Sequence, residues 1–470
     1  MLTIVTFLKK PWVFLILIIL LALGLRIFHL NLNYVFGEDE EYQTNIALTL
    51  VKHFHIIWIG VSAANTGFYL GPFWSYFTYI WLLLSHGDPL LTAYVAALLG
   101  SFTAMSVFYV GWKMFSLRVG IVASVLYSCL PLIVFFDQKY WNPSAIPLLS
   151  VTMTYSLYKI KENQRYLWLF AFAYGLVFHA HLSLVPFIFL AFYSARKGVK
   201  KTVLLQSIGI FILTISPLIA FDYFHKFSNI TTPLRLNQII SGAHPTILVK
   251  VQALVQSVMR LFYIHPHSIN ANEIIADCSK YRSSPSLLAA PFVMLIIVFF
   301  FKKQTWAKDN TKFLGLGILL ITLSYIFFPG GTSEYYLLGL FPLLLFIPGI
   351  VWNKYISPLL ILLICLLGMV SVLTAYNPYG LASKKQIISQ IMSTIGTSTF
   401  ELTEKGECHQ AEGWRYLFKT YARVPERSSI DPVFSWLYPK EISNVPAEFS
   451  VEITGHDRDN PGFTYKILKK

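Results

Sequence analysis

The sequence predicts an all-α polytopic membrane protein of about eleven spans, with a small α/β appendage at its C-terminal end. Three observations predict it. Hydrophobic residues make up 55% of the 470, and charged residues only 13%. A soluble domain carries about 45–50% and about 25%. Apolar runs of bilayer-crossing length recur along the chain. The short connections between them alternate in charge, as the positive-inside rule demands. These features exclude a soluble enzyme, a disordered chain and a nucleic-acid binder. The 37 basic residues outnumber 23 acidic ones, a net +14, because Lys and Arg hold cytoplasmic loops in place. Aromatics at 16% suit a chain with many membrane–water interfaces.

Lys9 and Lys10 precede the first run, at 12–28, and place the N-terminus in the cytoplasm. No small-residue cleavage site follows, so this run reads as an anchor. Further runs lie at 90–112, 119–136, 143–159, 167–179, 182–195, 203–221, 287–301, 313–328, 336–351 and 356–375. Lys113 and Arg118, Lys159 and Arg165, Arg196 to Lys201, Lys302 to Lys312 and Lys354 all fall on one side. An odd number of spans puts the C-terminus outside. The expected division is a transmembrane domain at 1–375 and an extracytoplasmic C-terminal domain at 376–470. Outside loops fall at 30–89 and 222–286. The stretch 69–85 is apolar but broken by Gly71-Pro72, and reads as lying at the outer interface. The tail carries helical patterns at 384–395 and 411–421 and alternation at 448–454 and 463–468. Cys278 and Cys408 fall in outside segments and can pair.

Glu38-Asp39-Glu40-Glu41 follow the first span directly. Tyr42, Ile46 and Leu50 recur at four-residue spacing behind them, which predicts an amphipathic helix along the outer surface. One or two acids suit a helix N-terminus, where each adds about 0.3–1 kcal/mol. A run of acids repels itself. A carboxylate held beside a membrane is also a candidate general base.

These residues resemble the GT-C glycosyltransferases, closest to the protein O-mannosyltransferases, the lipid A aminoarabinose transferase and related bacterial envelope enzymes. The acid pair Asp39-Glu40 after the first span carries the resemblance. So do Gly71 to Tyr76, Lys139-Tyr140-Trp141-Asn142-Pro143, the Gly175, His179, His181 and Pro186 series, and Glu334-Tyr335-Tyr336 with Pro342. It covers residues 10–350. Relatives carry an acid in the second outside loop. Here the nearest position is Asn142, and Asp137 is the only acid close by.

The resemblance implies inverting transfer of a sugar from a polyprenyl phosphate to an envelope lipid, glycan or protein at the outer membrane face. Asp39 is then the base and Glu40 orients acceptor or base. His181, Lys139, Arg235 and Arg260 are candidates for the donor phosphate, since positive or hydrogen-bonding groups must stabilise its growing charge. Asn142, Trp141, Asp137, Trp74, His179, Glu334 and Tyr335 are candidate substrate contacts. His179 and His181 also suit a helix end, Asn142 a cap before Pro143, and Tyr335 an interfacial anchor. No cofactor is expected, and no metal, because His179-x-His181 is not a ligand spacing that stands alone. The expected partners are the bilayer, a polyprenyl-phosphate-linked sugar and the acceptor, with no nucleic acid. The sequence sets no oligomeric state. A plasma (inner) membrane of a prokaryote is the expected location. A carrier or flippase for lipid-linked glycans is the competing reading, but it predicts repeats and charge within spans.

Overall fold

The computed structural model describes residues 11–62, 67–196, 198–232, 245–262, 287–406, 412–456 and 462–470. Every apolar run expected to span is largely helical. Among the described residues, four helices are long and apolar enough to cross a bilayer: Leu90–Met114, Lys201–Phe224, Asp309–Phe327 and Ile356–Thr374. A fifth crossing counts if Leu117–Cys129 and Pro131–Gln138, bent by 65°, form one span. Pro131 causes that bend, because the residue before a proline avoids the α region. Leu130 accordingly sits at φ −72°, ψ 121°.

The count of about eleven is therefore one of helical segments, not of full-length spans. Pro11–Ile27 has 17 residues, Tyr166–Ala180 has 15 and Phe187–Ala195 has 9. At about 1.5 Å per residue the last two fall short of a bilayer core of about 30 Å. The run at 336–351 departs most from expectation. It breaks at 338–340 and 345 into Glu334–Leu337, Phe341–Leu344 and Phe346–Ile350, with Pro342 in the first turn of the second piece and Pro348 within the third. The helices share one extensive apolar core, centred on Leu90–Met114 and Leu117–Cys129.

The C-terminal residues form a four-stranded sheet in the order β2-β1-β3-β4. Its strands are β1 Phe400–Lys405, β2 Arg427–Ser428, β3 Phe449–His456 and β4 Gly462–Lys469. β1 pairs in parallel with β2 and β3, and β3 pairs antiparallel with β4. Helices Leu381–Ile395 and Trp414–Tyr421 pack against the sheet. This sheet is the expected α/β appendage, with β1 and the two-residue β2 added to the two strands legible in the sequence.

A second apolar core joins this unit to the rest of the chain. It contains Tyr34, Phe36, Trp74 and Tyr140 together with Leu381, Ile388, Trp414 and Tyr416. The acidic helix Glu38–Lys52 therefore does not lie on a surface with its polar face in water. Ile46, Ala47 and Leu50 are buried as expected, but so are Gln43, Thr44 and Asn45. Gln43 donates to Ser75 of the helix Phe73–Leu84 at 3.1 Å. Tyr42 stacks on Phe434 of the C-terminal unit at 4.9 Å. A helix packed on two sides loses the simple amphipathic division.

Candidate active site

Gly37 precedes the acidic helix in an extended conformation, and its N–H donates to Glu40 Oε2 at 3.0 Å. That bond turns Glu40 back over the helix start, as in one half of a capping box. The same turn directs Asp39 outward. The Asp39 side chain is 56% exposed, whereas Glu40 is 2% exposed. The N-terminal pole of the helix favours negative charge at both. Burial pushes the Glu40 carboxyl upward, while the Lys139 ammonium pulls it back down.

Lys139 arrives from the chain turn after Pro131–Gln138. Its Nζ lies 3.4 Å from Glu40 Oε1 and 3.8 Å from Asp39 Oδ2. It also sits 4.0 Å from the centre of the Trp141 ring. The turn is locked by Ser144, whose hydroxyl donates to the Lys139 carbonyl at 2.7 Å and accepts from the Trp141 N–H at 3.2 Å. Pro143 then opens the turn Asn142–Ala145. Asn142 is only 6% exposed, yet its amide nitrogen has no hydrogen-bond partner among the described residues, and neither does Trp141 Nε1. Two donors left unsatisfied at the edge of a site are suited to receive substrate oxygens.

An aromatic wall continues from Trp141. Tyr335 lies 4.8 Å from Trp141 and 5.4 Å from His181, ring centre to ring centre. His181 stacks on Tyr336 at 5.3 Å. The half-buried His181 ring is pushed down to about 4 by desolvation. Its Nδ1 accepts from the Ser183 N–H at 3.3 Å, which leaves the neutral ring with its proton on Nε2. His181 is therefore a hydrogen-bond donor near neutral pH, the uncharged one of the two kinds of group expected at the phosphate. Beside the wall, the Arg260 guanidinium meets Glu334 at 3.3 Å, with Arg260 1% exposed. Arg260 comes from the helix Ile247–Phe262, which turns Lys250, Ser257 and Arg260 inward and Leu248 and Val255 outward.

The structure thus gathers Asp39, Glu40, Lys139, Trp141, Asn142, His181, Tyr335, Glu334 and Arg260 into one row. Three expected substrate contacts stand elsewhere. Asp137 Oδ2 is gripped by Arg26 at 2.6 and 2.9 Å, and its Oδ1 accepts from Tyr127 at 3.2 Å. Its carboxylate is consumed by packing. His179 accepts from the Phe73 N–H at 3.2 Å and faces the Thr214 carbonyl at 2.9 Å, so both nitrogens are used. A Cβ on Gly71 would lie 2.1 Å from the His179 ring, so only glycine fits that crossing. Trp74 is 3% exposed and stacks on Tyr140 at 5.4 Å. Arg235, Cys278 and Cys408 lie outside the described residues.

The exposed carboxylate beside an ammonium can accept a proton without being neutralised in advance. Aromatic faces of this kind can stack on a ring, and the Arg260 guanidinium beside them is already engaged by Glu334. Among the described residues, no group of His, Cys, Asp and Glu is placed to hold a metal ion.

No known family profile matches the chain, and no characterised protein matches it by sequence. Solved structures do. ArnT from Cupriavidus metallidurans bound to undecaprenyl phosphate superposes with a TM-score of 0.63 at 10% identity, over 95% of this chain and 93% of that one. The apo form of the same protein gives 0.60 at 10% identity, over 94% and 93%. Archaeal oligosaccharyltransferase AglB from Archaeoglobus fulgidus gives 0.47 at 12% identity, over 94% and 69%. The chain has the fold of ArnT along nearly its whole length.

Proposed function

We propose that this protein transfers a sugar from a polyprenyl-phosphate donor to an acceptor hydroxyl, with inversion, at the outer face of the membrane. The observation that carries the reading is the open Asp39 carboxylate, at a helix N-terminus, beside Lys139 and the Trp141–Tyr335 wall. The shared fold adds support, because the ArnT structure holds undecaprenyl phosphate. The N-terminus is then cytoplasmic, and the site and C-terminal unit lie outside.

In the step proposed, the acceptor oxygen attacks the anomeric carbon as its proton passes to Asp39. The carbon–oxygen bond to phosphate breaks, and its electron pair goes to the phosphate oxygen. A phosphodiester monoanion becomes a phosphomonoester with more charge. Arg260 and Lys139 offset that charge, and His181 Nε2–H adds a neutral donor. Arg260 must exchange part of its contact with Glu334 for phosphate. Asn142 and Trp141 Nε1 meet sugar oxygens.

Mass spectrometry of envelope glycolipids and glycans tests this in cells making the wild type, Asp39→Asn or no protein. A sugar-sized mass gain that needs Asp39, with the variant present in membranes, supports the reading. Equal modification by both proteins removes Asp39 as the base. Lipid-linked glycans that change leaflet without any mass gain favour a carrier instead.

A further inference from the structure

One contact of the C-terminal unit with the acidic segment falls on the peptide group that caps Glu40. Lys384, on the helix Leu381–Ile395, is fully buried. Its Nζ donates to the Phe36 carbonyl at 2.8 Å and also to the Glu412 carbonyl. The Phe36 carbonyl and the Gly37 N–H belong to the same peptide unit. That N–H is the one that donates to Glu40 Oε2 at 3.0 Å. Hydrogen bonds in series polarise one another, so a cation on the carbonyl strengthens the bond made by the N–H.

The surrounding contacts hold the same segment from behind. Leu381 N–H donates to the Tyr34 carbonyl at 2.8 Å, and Asn377 Nδ2 to the Asn33 carbonyl at 3.3 Å. Tyr416 N–H donates to Glu41 Oε1 at 2.8 Å. Gly413 has φ +90°, and a Cβ there would lie 2.7 Å from the Phe36 oxygen, so glycine alone allows the approach. Four successive points of residues 33–41 are therefore set by residues beyond 376.

We infer that Lys384 is a positioning residue of the active site: through the Phe36–Gly37 peptide it fixes Glu40 in its back-turned position over the helix start and so keeps Asp39 turned outward. The inference deepens the proposed transfer reaction and rests on that reading for its effect on rate. The groups facing Lys384 are Glu40 and Glu41 of the acidic helix, Glu404 of β1, and Glu412. Those facing Glu40 are Lys139, Asp39 and Tyr34. Burial draws Lys384 down to about 8, against the pull of its acidic neighbours. It is a cation at neutral pH and loses its proton within reach of experiment. Below that point it opposes protonation of Glu40.

The test uses the full chain in detergent, by infrared titration of protonated carboxyl bands, with the Glu40 band identified by its loss in Glu40→Gln. In Lys384→Met the midpoint of that band is expected to move up by about one pH unit, the size of shift a nearby charge imposes. Lys384→Arg keeps the charge and returns the midpoint to the wild-type position. A purely structural role of Lys384 predicts less folded protein but an unmoved midpoint. Should Lys384→Met fail to fold, Glu412→Gln gives a milder probe. It removes one acid facing Lys384, so Lys384 loses its proton at lower pH, and the carboxylate band of Glu40 shifts in frequency at that lower pH as the cation on the Phe36 carbonyl is lost. A Glu40 band that moves in neither variant overturns the inference. The acid limb of kcat/KM for sugar transfer should move with the band. A moving band in a protein that transfers no sugar leaves the link intact and removes the proposed reaction. Transfer with a motionless band does the reverse.

Discussion

Asp137 and Asp39 are both carboxylates placed next to a cation, at neighbouring points of the same end of the molecule. Asp137 is held by Arg26 at 2.6 Å, with side chains 5% and 0% exposed. Arg26 spends its remaining donors on the Ala22, Tyr127 and Ser128 carbonyls. Asp39 meets Lys139 only at 3.8 Å, and more than half of it is open. A buried pair with every lone pair engaged is a strut, because either partner alone would be an uncompensated charge in an apolar core. An open carboxylate with a loose neighbour keeps its lone pairs for something else. Proximity to a cation, by itself, does not distinguish a structural acid from a reactive one. Saturation of its hydrogen bonds does.

The comparison is broken most directly at Asp39. Asp39→Asn should lower transfer by about 100- to 10,000-fold, the range a positioned general base supplies. The protein should stay folded, since the replaced side chain is largely in solvent. Turnover of a lipid-phosphate sugar, measured beside the thermal midpoint in detergent, checks both halves. Asp137→Asn should do the opposite. Leaving Arg26 unpaired costs about 3–5 kcal/mol, read as a lost yield and a lowered unfolding midpoint. The double variant Arg26→Met with Asp137→Leu should recover much of that loss, because a buried pair can be replaced by apolar groups of similar volume. If Asp137→Asn folds normally but transfers nothing, Asp137 belongs to the chemistry and the contrast fails.

How far the sequence reaches can be seen in the same two pairs. Arg26 is an ionisable residue inside an apolar run, and such a residue needs a buried partner. Asp137 was legible as the acid of the second loop. Their pairing was not, because 111 residues separate them and only the fold sets the distance. The acid run after the first helix was legible as a candidate site. It could not say which acid faces out, since Asp39 and Glu40 are adjacent on a helix and the choice depends on the Gly37 N–H capturing Glu40. The aromatic wall was half legible: Trp141 and Tyr335 each stood in a motif, but their contact at 4.8 Å joins segments nearly two hundred positions apart. Lys384 carried no local signal at all. A lysine beside a second lysine, Lys385, in an amphipathic helix reads as a solvated charge, and only the return of the tail onto Phe36 buries it.

Arg260 sharpens the comparison from the other side. It is buried as deeply as Arg26, yet its contact with Glu334 is longer, at 3.3 Å. A strut would not let go, whereas a phosphate ligand must. Arg260→Ala should raise the KM for the lipid-phosphate donor by about 10- to 100-fold, from the loss of charge-assisted hydrogen bonds. Arg260→Lys should recover part of it, since a point charge lacks the fork. Initial rates against donor concentration separate this from a change in kcat. An equal fall in stability for Arg260→Ala and Asp137→Asn, with KM unmoved, would make Arg260 a second strut.

The smallest effect is expected at His181, and it concerns pH. The ring is pushed down to about 4 in the folded protein, below the ordinary value of about 6.5. The unfolded chain therefore takes up this proton first as the solution is acidified. Its contribution to stability is whole above about pH 6.5 and is lost as pH falls toward 4. The transfer rate should show no limb from this ring between pH 5 and 8, where it stays neutral. His181→Asn keeps an acceptor for the Ser183 N–H, so it should change the rate only a few-fold while flattening the acid side of the thermal-midpoint curve. A rate limb near pH 6 that His181→Asn abolishes would mean the ring is charged during turnover. His181 would then stand with Lys139 and Arg260 as a third cation on the phosphate, and the neutral aromatic wall would have to be redrawn as part of the anion site.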